Sequence, residues 1–502
     1  MPGLLCLDLG TSSAKAALID TGGHLLATAS SAYPTRSTSD GGAEQDPADW
    51  VRAARAAIAP VLPASDGLAG LCLTGQMQDL VLEGPAGAAH PAVLYSDRRA
   101  GAEAEEIRAR LARDGEDWEE LTANHQDAGC CAAMFLRLAR TDPAAIARAI
   151  SITFGPAGHL AVVLGAGSWC DPTTAAATGL LEAGTRDWSG AVARAAGIDL
   201  ALLPRLTTDA GQVVGRTGAG AGALLGLPAG VPIVLAPGDA GAATLGVTGL
   251  AAGRDHASLG TSGWIAGVRT ADGSPAADGA SHRLALAGGT TLHISALLAA
   301  GSAAAWARRT YLGGTDAAGA DRLLEQREQE HGRGPTGLLA LPSLGGERFP
   351  VRDEALRGAV LGLDASTGPV DLYAGMLEGI ALALSHALED RPAGDPLPVV
   401  GGGAASAPWR RILADVTGRP VLAVDGTDAT LLGAALAGAE ALGLDHRLAP
   451  LADQGGEPVE PDPSAAAAYR ALRPAHRELY EAAARIGRRS EDGSSPRTAG
   501  VI

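Results

Sequence analysis

One short pattern occurs twice in this chain of 502 residues: an apolar strand, a Gly-Thr-Ser turn and a second strand. The first copy, LDLGTSSAK, covers residues 7–15, and the second, SLGTSG, covers residues 258–263. After each copy, apolar strand patterns alternate with helical patterns, which is typical of α/β layers. The sequence therefore predicts two α/β units in tandem, each opened by its own hairpin, with a boundary near residues 246–252.

The length agrees with this division, because a single hydrophobic core seldom serves so many residues. We predict an N-terminal domain over 1–246, a C-terminal domain over 247–487 and a disordered tail over 488–502, which is polar and rich in Gly, Pro and Ser. The elements expected in the first domain are a hairpin at its start, helices at 47–58 and 101–113, and strands at 70–75 and 231–239. Those expected in the second are a hairpin at 256–268, helices at 370–388, 408–418 and 431–443, and strands at 396–403 and 420–425.

The charge and the cysteines argue against several classes of protein. A formal net charge of −17 disfavours broad binding to nucleic acid or to anionic membranes. No apolar run is long enough to span a bilayer, and the N-terminus lacks the pattern of a signal peptide. The five cysteines form neither a CxxC pair nor a zinc-like spacing, so we expect reduced, buried thiols. We predict a soluble, cytoplasmic protein that binds no nucleic acid and no membrane.

The first turn carries groups that are suited to phosphate. Gly10 allows the backbone to come close to a ligand, and the hydroxyls of Thr11 and Ser12 can donate hydrogen bonds. Lys15, the single lysine of the chain, adds a positive charge. Asp8 ends an apolar strand and can hold Mg²⁺ through water. Taken alone, the segment fits an ordinary hairpin turn with a buried-edge aspartate equally well.

A carboxylate at a strand end adds a second part of a phosphotransfer site. Asp239 follows Pro237-Gly238 at the end of an apolar strand, where α/β folds place catalytic groups. Phosphoryl transfer to an alcohol needs a carboxylate that orients the hydroxyl and takes its proton, and Asp239 fits that role. The alternative is an aspartate that caps the helix expected at 240–245. With the two turns, Asp239 favours phosphates held between two domains.

Further polar or glycine-rich segments follow predicted strands. Gly401-Gly402-Gly403 could let the backbone approach a nucleotide. The rival interpretation, a dinucleotide-binding loop with Asp425, is disfavoured because Ser406 stands at its third glycine position. Gln76-Met77-Gln78-Asp79 and Asp97-Arg98-Arg99 could contact a polyol or be solvated loops, and Glu44-Gln45 allows both interpretations. Trp306 and Trp409 are expected in the core.

The whole set of segments, in its order and spacing, resembles the FGGY carbohydrate kinases, and within that family it looks most like the xylulokinase branch. The similarity covers roughly residues 3–445 and lies in the segments LDLGTSSAK, EQDPADW, TGQMQ, SDRR, PGDAGAATLGV, SLGTSG, LGGER and VGGGAASAPWRRILADVTGRPV. The resemblance implies two ribonuclease-H-like domains of the actin, Hsp70 and hexokinase superfamily. These domains would close on a central cleft that holds MgATP and a sugar, and the family suggests a homodimer.

The resemblance also implies a role for individual residues. Asp239 would be the general base, and Asp8 would belong to the Mg²⁺ site. The residues implied for ATP are Thr11, Ser12, Lys15, Gly260, Thr261, Gly301, Gly402, Gly403 and Ala404. Those implied for the sugar are Gln76, Met77, Gln78, Asp97 and Asp239.

Two positions depart from the xylulokinase pattern. Where xylulokinases usually read TGQMHG, this chain has Gln78-Asp79, and where they usually have Asn after the catalytic Asp, it has Ala240. Glycerol kinases have an Arg-Glu pair in place of Met77-Gln78. We predict transfer of the ATP γ-phosphate to a primary hydroxyl of a ketopentose such as D-xylulose.

Other functions on the same fold stay open. They are a kinase for another sugar or polyol (ribulose, fuculose, gluconate or erythritol type) and a non-catalytic sensor of sugar or nucleotide. An Hsp70-like chaperone is disfavoured, because too few residues follow the ATPase pattern for a peptide-binding domain.

Overall fold

A computed structural model of the chain describes residues 3–62, 67–270, 280–389, 391, 395–425 and 428–491. The elements of the N-terminal half are β1 (Gly3–Leu9), β2 (Ser13–Asp20), β3 (Leu25–Ala32), β4 (Arg36–Ser37), β5 (Ala43–Gln45), α1 (Pro47–Ile58), β6 (Leu68–Gly75), β7 (Val81–Gly84), β8 (Gly87–Ala88), β9 (Ala92–Val93), α2 (Gly101–Arg113), α3 (Trp118–Thr122), α4 (Cys131–Thr141), α5 (Pro143–Arg148), β10 (Ser151–Thr153), α6 (Pro156–Val163), β11 (Trp169–Cys170), α7 (Pro172–Ala177), α8 (Gly190–Ala196), β12 (Arg205–Leu206), β13 (Gln212–Arg216), α9 (Ala219–Leu225), β14 (Pro232–Leu235) and α10 (Asp239–Thr248).

The C-terminal half continues with a second series. Its elements are β15 (Asp255–Leu259), β16 (Gly263–Thr270), β17 (Ser281–Ala285), β18 (Thr290–Leu297), α11 (Gly301–Tyr311), α12 (Ala317–His331), β19 (Leu339–Leu341), β20 (Ala359–Leu361), α13 (Pro369–Ser385), β21 (Leu397–Val400), α14 (Ala407–Thr417), β22 (Val421–Ala423), α15 (Ala429–Ala441) and α16 (Pro463–Glu491). Each helix and strand that the sequence predicted is present, with ends shifted by a few residues.

Two six-stranded sheets share a core of five strands with the same topology, and the sixth strand is added at opposite ends, as β13 in the first sheet and β17 in the second. The first has the order β13-β14-β6-β1-β2-β3, and the second has the order β17-β18-β16-β15-β21-β22. In both, an antiparallel hairpin (β1–β2, β15–β16) is extended on the side of its first strand by a parallel strand (β6, β21). The repeated turn in the sequence therefore marks a repeated fold, and this confirms the predicted pair of α/β units.

Local sequence explains why the first unit begins as it does. The side chain of Asp46 accepts a hydrogen bond from Ala48 N at 2.9 Å, and Pro47 stands at the first helical position of α1. One face of α1 is buried, led by Trp50 and Ile58, and packs on the sheet through an apolar cluster shared with β1, β2 and β6. Burial of this face fixes the helix against the strands that carry the first turn.

Helix α15 departs from the simple division of the chain into two halves. It follows the second sheet in sequence, yet its apolar face packs on the first sheet, against residues of β1, β2, β6 and β14. Its closest neighbour is α10, and the two helices cross at Gly246 and Gly433. The predicted boundary at residue 246 therefore separates the two sheets but does not separate the helices that cover them.

The C-terminal end differs from the expected pattern. Helix α16 runs through Arg488 to Glu491, into the segment predicted as a disordered tail, and residues 492–502 lie outside the described residues. None of the helices in the described ranges has the length and apolar character needed to cross a membrane. All five cysteines lie within those ranges, and they are buried and free, as expected.

Candidate active site

The two Gly-Thr-Ser turns expose hydroxyl groups at equivalent points of the two sheets. In the first, between β1 and β2, Gly10 N donates to Ser13 O at 3.0 Å, and Thr11 and Ser12 are exposed. In the second, between β15 and β16, Thr261 and Ser262 are exposed. Both turns therefore leave their hydroxyls free of burial, as groups that contact phosphate require.

Asp239 is the first residue of α10 and lies on a cavity between the two units. The cavity has a volume of about 310 Å³ and is lined by Asp239, Ala240, Ala243, Trp264, Ala266, Ile294 and Thr430. The N-cap of α10 is Gly238, so the alternative role of Asp239 as the capping residue is wrong. The Oδ1 atom of its carboxylate accepts a hydrogen bond from Ala240 N at 2.7 Å. The remaining lone pairs of the carboxylate can accept hydrogen bonds from a group bound in the cavity.

The environment of Asp239 raises its pKa to about 7, first because the group is buried and then because Asp8 is close, with a smaller contribution from Asp171. A carboxylate that titrates near neutral pH holds a proton more strongly than an ordinary aspartate. This is the property that a general base needs in order to accept a proton from a hydroxyl during transfer.

Asp171 positions the segment that carries Asp239. Its Oδ1 accepts hydrogen bonds from Gly238 N and from Thr174 N, both at 3.0 Å. On the other side, Thr74 Oγ1 donates to Pro237 O at 2.6 Å. No sequence pattern indicated the bond to Gly238. The Asp171-Pro172 pair resembles Asp46-Pro47, so the sequence could have revealed that Asp171 caps helix α7, but not that it also bonds to Gly238.

Two further carboxylates lie close to Asp239 with oxygens that lack partners. Within the described residues, Asp8 Oδ1 and Asp79 Oδ2 are buried and accept no hydrogen bond. Burial raises the pKa of Asp8 to about 6, against the opposing effect of Lys15. Burial, reinforced by Asp239, raises the pKa of Asp79 well above its usual range. This part of the site is short of positive charge and would be stabilised by a cation.

Gln45 connects the first turn to the predicted sugar side. Its Nε2 donates to Thr11 O at 2.8 Å, and its Oε1 accepts from Gln76 Nε2 at 2.9 Å and from Trp50 Nε1 at 2.8 Å. Gln76 follows β6 directly, and its backbone N donates to Leu9 O at 2.9 Å. The buried amide of Gln45 therefore fixes two candidate binding segments relative to each other.

The predicted sugar residues have different surroundings. Met77 lies against Gly238, where an added Cβ would approach its sulfur to 2.4 Å. Gln78 has a positive φ of 66°, and its Nε2 donates to Gly129 O at 2.6 Å. These contacts place Met77 beside the segment of Asp239 and direct Gln78 away from it, towards Gly129.

Asp97 is not available to a sugar in this structure. Its Oδ2 accepts from Ala43 N at 2.9 Å and from Arg99 Nη2 at 2.7 Å, and its Oδ1 accepts from Arg99 N at 2.9 Å. The side chain is buried, and Arg99 also pairs with Glu44. The predicted sugar contact of Asp97 is corrected to a structural ion pair, because both of its oxygens are occupied.

The residues of the second unit that were predicted to bind the nucleotide lie close to one another through backbone contacts. Gly301 N donates to Gly260 O at 2.8 Å, and a Cβ on Gly301 would lie 2.5 Å from that oxygen. Gly401 has a φ of +91°, and an added Cβ would lie 2.8 Å from Leu259 O. Only glycine permits these approaches. Gly402 faces open space, whereas Gly403 lies against Trp409 and Ala404 is buried.

Lys15 forms an ion pair that the sequence did not predict. Its Nζ donates to Asp428 Oδ1 at 2.7 Å, and Asp428 immediately precedes α15. Lys15 is also the register partner of Asp8 across the β1–β2 hairpin. The packing of α15 on the first sheet brings Asp428 to the first turn from more than 400 positions along the chain. No local sequence pattern indicates such a contact.

The arrangement defines a class of protein. Two sheets with the same five-stranded core, each with a hydroxyl-bearing turn, enclose a strand-end carboxylate whose raised pKa suits a base. Such an arrangement suits phosphoryl transfer to an alcohol, and the fold and site together describe an α/β phosphotransferase.

Comparisons with known proteins identify the family. Residues 4–246 match the N-terminal domain, and residues 256–442 the C-terminal domain, of the FGGY family of carbohydrate kinases. Xylulose kinase of Escherichia coli K12 is 28% identical over 490 residues, covering 95% of this chain and 98% of that protein. The chain therefore belongs to the FGGY family of carbohydrate kinases, and it is an ATP-dependent sugar kinase, as predicted.

Solved structures agree with this assignment. Xylulose kinase from Rhodospirillum rubrum is 25% identical with a TM-score of 0.84, covering 97% of this chain and 100% of that chain. Gluconate kinase from Lactobacillus acidophilus shares the fold at 23% identity, with a TM-score of 0.85 over 96% of this chain and 98% of that chain. The predicted fold class is thereby confirmed.

Proposed function

We propose that this kinase transfers the γ-phosphoryl group of ATP to a primary hydroxyl of a small sugar, with D-xylulose as the first candidate. The placement of Asp239, with its raised pKa, on the cavity between the two units is the observation that carries this proposal. In the proposed reaction Asp239 orients the acceptor hydroxyl and takes its proton as the new bond forms. The names of relatives such as the xylulose kinase of E. coli support a ketopentose.

The other predicted residues are assigned to the two substrates. Gln76 and Met77 contact the sugar, and the turns at Thr11-Ser12 and Gly260-Thr261 contact the phosphates. Lys15 adds its charge to the first turn. Gly301, Gly402, Gly403 and Ala404 line the nucleotide site. Closure of the two units, residues 1–246 and 247–487, excludes water and limits hydrolysis of ATP.

Asp8 is the residue proposed to hold Mg²⁺. Its unpartnered buried oxygen fits a hard cation that prefers oxygen ligands. The described part of the chain contains no group of three His, Cys, Asp or Glu side chains that could bind a metal unaided. Water and phosphate oxygens would therefore complete the coordination, as is usual for Mg²⁺. When bound, the ion supplies charge neutralisation to the phosphates.

A coupled ADP-release assay over a panel of sugars tests the proposed function. D-xylulose, D-ribulose, L-fuculose, D-gluconate, erythritol and glycerol are each supplied with MgATP. We expect sugar-dependent ADP release well above the rate without sugar. Absence of turnover with every acceptor, together with calorimetric binding of ATP, would favour a sensor and contradict the proposal.

Lys15→Ala tests the phosphate role of the single lysine. We expect the KM for MgATP to rise by about 10-fold or more, because a charge-assisted hydrogen bond is lost, while the sugar KM changes little. Asp428→Asn is the matched control, since it removes the ion pair and keeps the lysine. Equal effects of the two variants on MgATP would show that Lys15 acts through Asp428 alone.

Two finer properties complete the proposal. We propose a cytoplasmic enzyme, since its substrate ATP is an intracellular metabolite, and a homodimer, on the basis of the family resemblance. Light scattering coupled to size exclusion would measure the mass of the particle in solution. A monomer at micromolar concentration would contradict the second proposal.

A further inference from the structure

A second cavity, of about 100 Å³, lies where the N-terminal unit meets the second sheet. We call it the arginine pocket, because Arg98, Arg348 and Arg352 line it together with Asp127, Gln78 and His282. The volume admits several water molecules or one small polar group. The arginine pocket has no part in the role assigned above to the Asp239 cavity, which is to hold the acceptor hydroxyl.

The arginine pocket holds more positive than negative charge. Three guanidinium groups face the single carboxylate of Asp127, which pairs with Arg352 at 2.7 Å and with Arg98 at 3.6 Å. His282 adds no charge at neutral pH, because burial and the nearby Arg348 and Arg352 lower its pKa to about 4. The pocket therefore keeps two positive charges in excess, within a chain whose net charge is −17.

Arg348 is the arginine without a partner. Within the described ranges its guanidinium forms neither an ion pair nor a hydrogen bond, and its backbone N donates to Glu347 Oε1 at 2.9 Å. Burial lowers its pKa, and the charges of Arg98 and Arg352 lower it further. A half-buried guanidinium beside two like charges is unfavourable unless an anion compensates it. Planar guanidinium groups bind carboxylates through paired hydrogen bonds.

The pocket adjoins the cavity of Asp239. In the β17–β18 register His282 lies opposite Ile294, and side chains of such a pair project from the same face. Ile294 lines the Asp239 cavity, and His282 lines the arginine pocket. Gln78 lines the pocket as well, one residue after Met77, which contacts the segment of Asp239. The two cavities are therefore neighbours on one sheet face.

The wall of the pocket is held rigidly by an amide clamp. Asn124 accepts from Arg283 N and donates to Arg283 O, both at 2.8 Å, and this fixes β17 on the N-terminal unit. Asp127 is fixed in the same way, since its Oδ1 accepts from Gly129 N at 2.8 Å. The groups that would meet a ligand are thus held in place before it binds.

We propose that the arginine pocket binds a carboxylate at one end of the acceptor while a hydroxyl at the other end reaches Asp239, so that the preferred acceptor is a sugar acid. This inference rests on the proposed phosphoryl transfer at Asp239, and it replaces D-xylulose, the candidate taken from the names of relatives, with an acid as the preferred acceptor. An open-chain aldonate has its carboxylate and its primary hydroxyl at opposite ends, which matches two adjoining cavities of different chemistry. Neutral ketopentoses leave the excess charge of the pocket uncompensated.

The test compares acids with neutral acceptors. D-gluconate and D-xylonate are assayed against D-xylulose, D-ribulose and sorbitol, with the full-length protein and its Arg348→Gln and Arg352→Gln variants. We expect the acids to have the higher kcat/KM. In each variant the ratio of acid to neutral kcat/KM should fall by about 10- to 100-fold, as expected for loss of a charge-assisted hydrogen bond. Arg113→Gln, on the exposed end of α2, is the matched control for a lost positive charge.

Three results would overturn the proposal. The first is a neutral sugar that is phosphorylated more efficiently than both acids. The second is a ratio of acid to neutral kcat/KM that the pocket variants leave unchanged. The third is inorganic phosphate that binds the wild type, but not Arg348→Gln, without competing with the acceptor, since the pocket would then serve a separate anion.

Failure of the proposed function itself has a different signature. In that case no acceptor supports the release of ADP from ATP. Calorimetry with D-gluconate and sorbitol then measures whether the arginine pocket binds an acid in preference to a neutral polyol. Binding of gluconate alone, abolished in Arg348→Gln, supports the arginine pocket. Absence of binding by both compounds contradicts it.

Discussion

Replacement of Asp239 by Asn should abolish sugar phosphorylation while the protein remains folded. Asparagine keeps the shape of the side chain but cannot accept the proton of the acceptor hydroxyl. We expect kcat to fall by about 10²- to 10⁴-fold, the usual contribution of a positioned base. The coupled ADP-release assay measures this loss with whichever acceptor is the most efficient.

The raised pKa gives the same residue a pH signature. Because Asp239 has to be deprotonated to act as a base, kcat/KM of the wild type should decline as the pH falls below about 7. In Asp239→Asn the residual activity should lack this decline. Near-normal turnover of the variant at any pH would contradict the assignment of the base.

Stability provides the control on folding. A carboxyl group whose pKa is raised by folding favours the native state at low pH, and that contribution is lost as the pH rises through about 7. Asparagine carries no charge and escapes this loss. In metal-free buffer at pH 8, the melting temperature of Asp239→Asn should therefore equal or exceed that of the wild type. A large decrease would indicate a structural role instead.

Replacement of Gly433 by Val should destabilise the protein severely. A Cβ on Gly433 would lie 1.8 Å from Ala242 O, and one on Gly246 would lie 2.0 Å from Ala429 O. Both obstacles are backbone atoms, so helices α10 and α15 would have to separate. Overpacking of a close contact of this kind costs about 3 kcal/mol or more. The midpoint of denaturant unfolding and the yield of soluble protein measure the effect.

A graded series distinguishes packing from helix propensity. Alanine is preferred over glycine inside a helix by about 1 kcal/mol, so propensity alone predicts that Gly433→Ala stabilises α15. The clash with Ala242 O predicts the opposite, namely that Gly433→Ala lowers the free energy of unfolding. Gly220→Ala is the matched control, because Gly220 lies in α9 with no atom near its added Cβ, and it should be neutral or stabilising. Stabilisation by Gly433→Ala would contradict the close crossing.

The helix crossing is connected to the active site. Helix α10 begins with Asp239, and α15 is preceded by Asp428, the partner of Lys15. A variant that separates these helices should therefore impair activity before it unfolds the protein. The position of the base depends on small residues far from it in sequence.

Local patterns determined much of this protein. The two Gly-Thr-Ser turns, the Asp46-Pro47 helix start and the strand that leads to Asp239 were all predictable, because each depends on residues adjacent in sequence. The order of these segments also determined the family. Their chemistry pointed to phosphate and to a base at Asp239, and these remain assignments for experiment.

Only the tertiary structure decided how the segments combine. Asp97 looked like a sugar ligand until its oxygens were found occupied by Arg99 and Ala43. The contact of Lys15 with Asp428 and the collection of Arg98, Arg348 and Arg352 around Asp127 join segments that are distant in the chain. Hydrogen bonding and charge compensation depend on distances in space, and the periodicity of a sequence encodes distances only within one element.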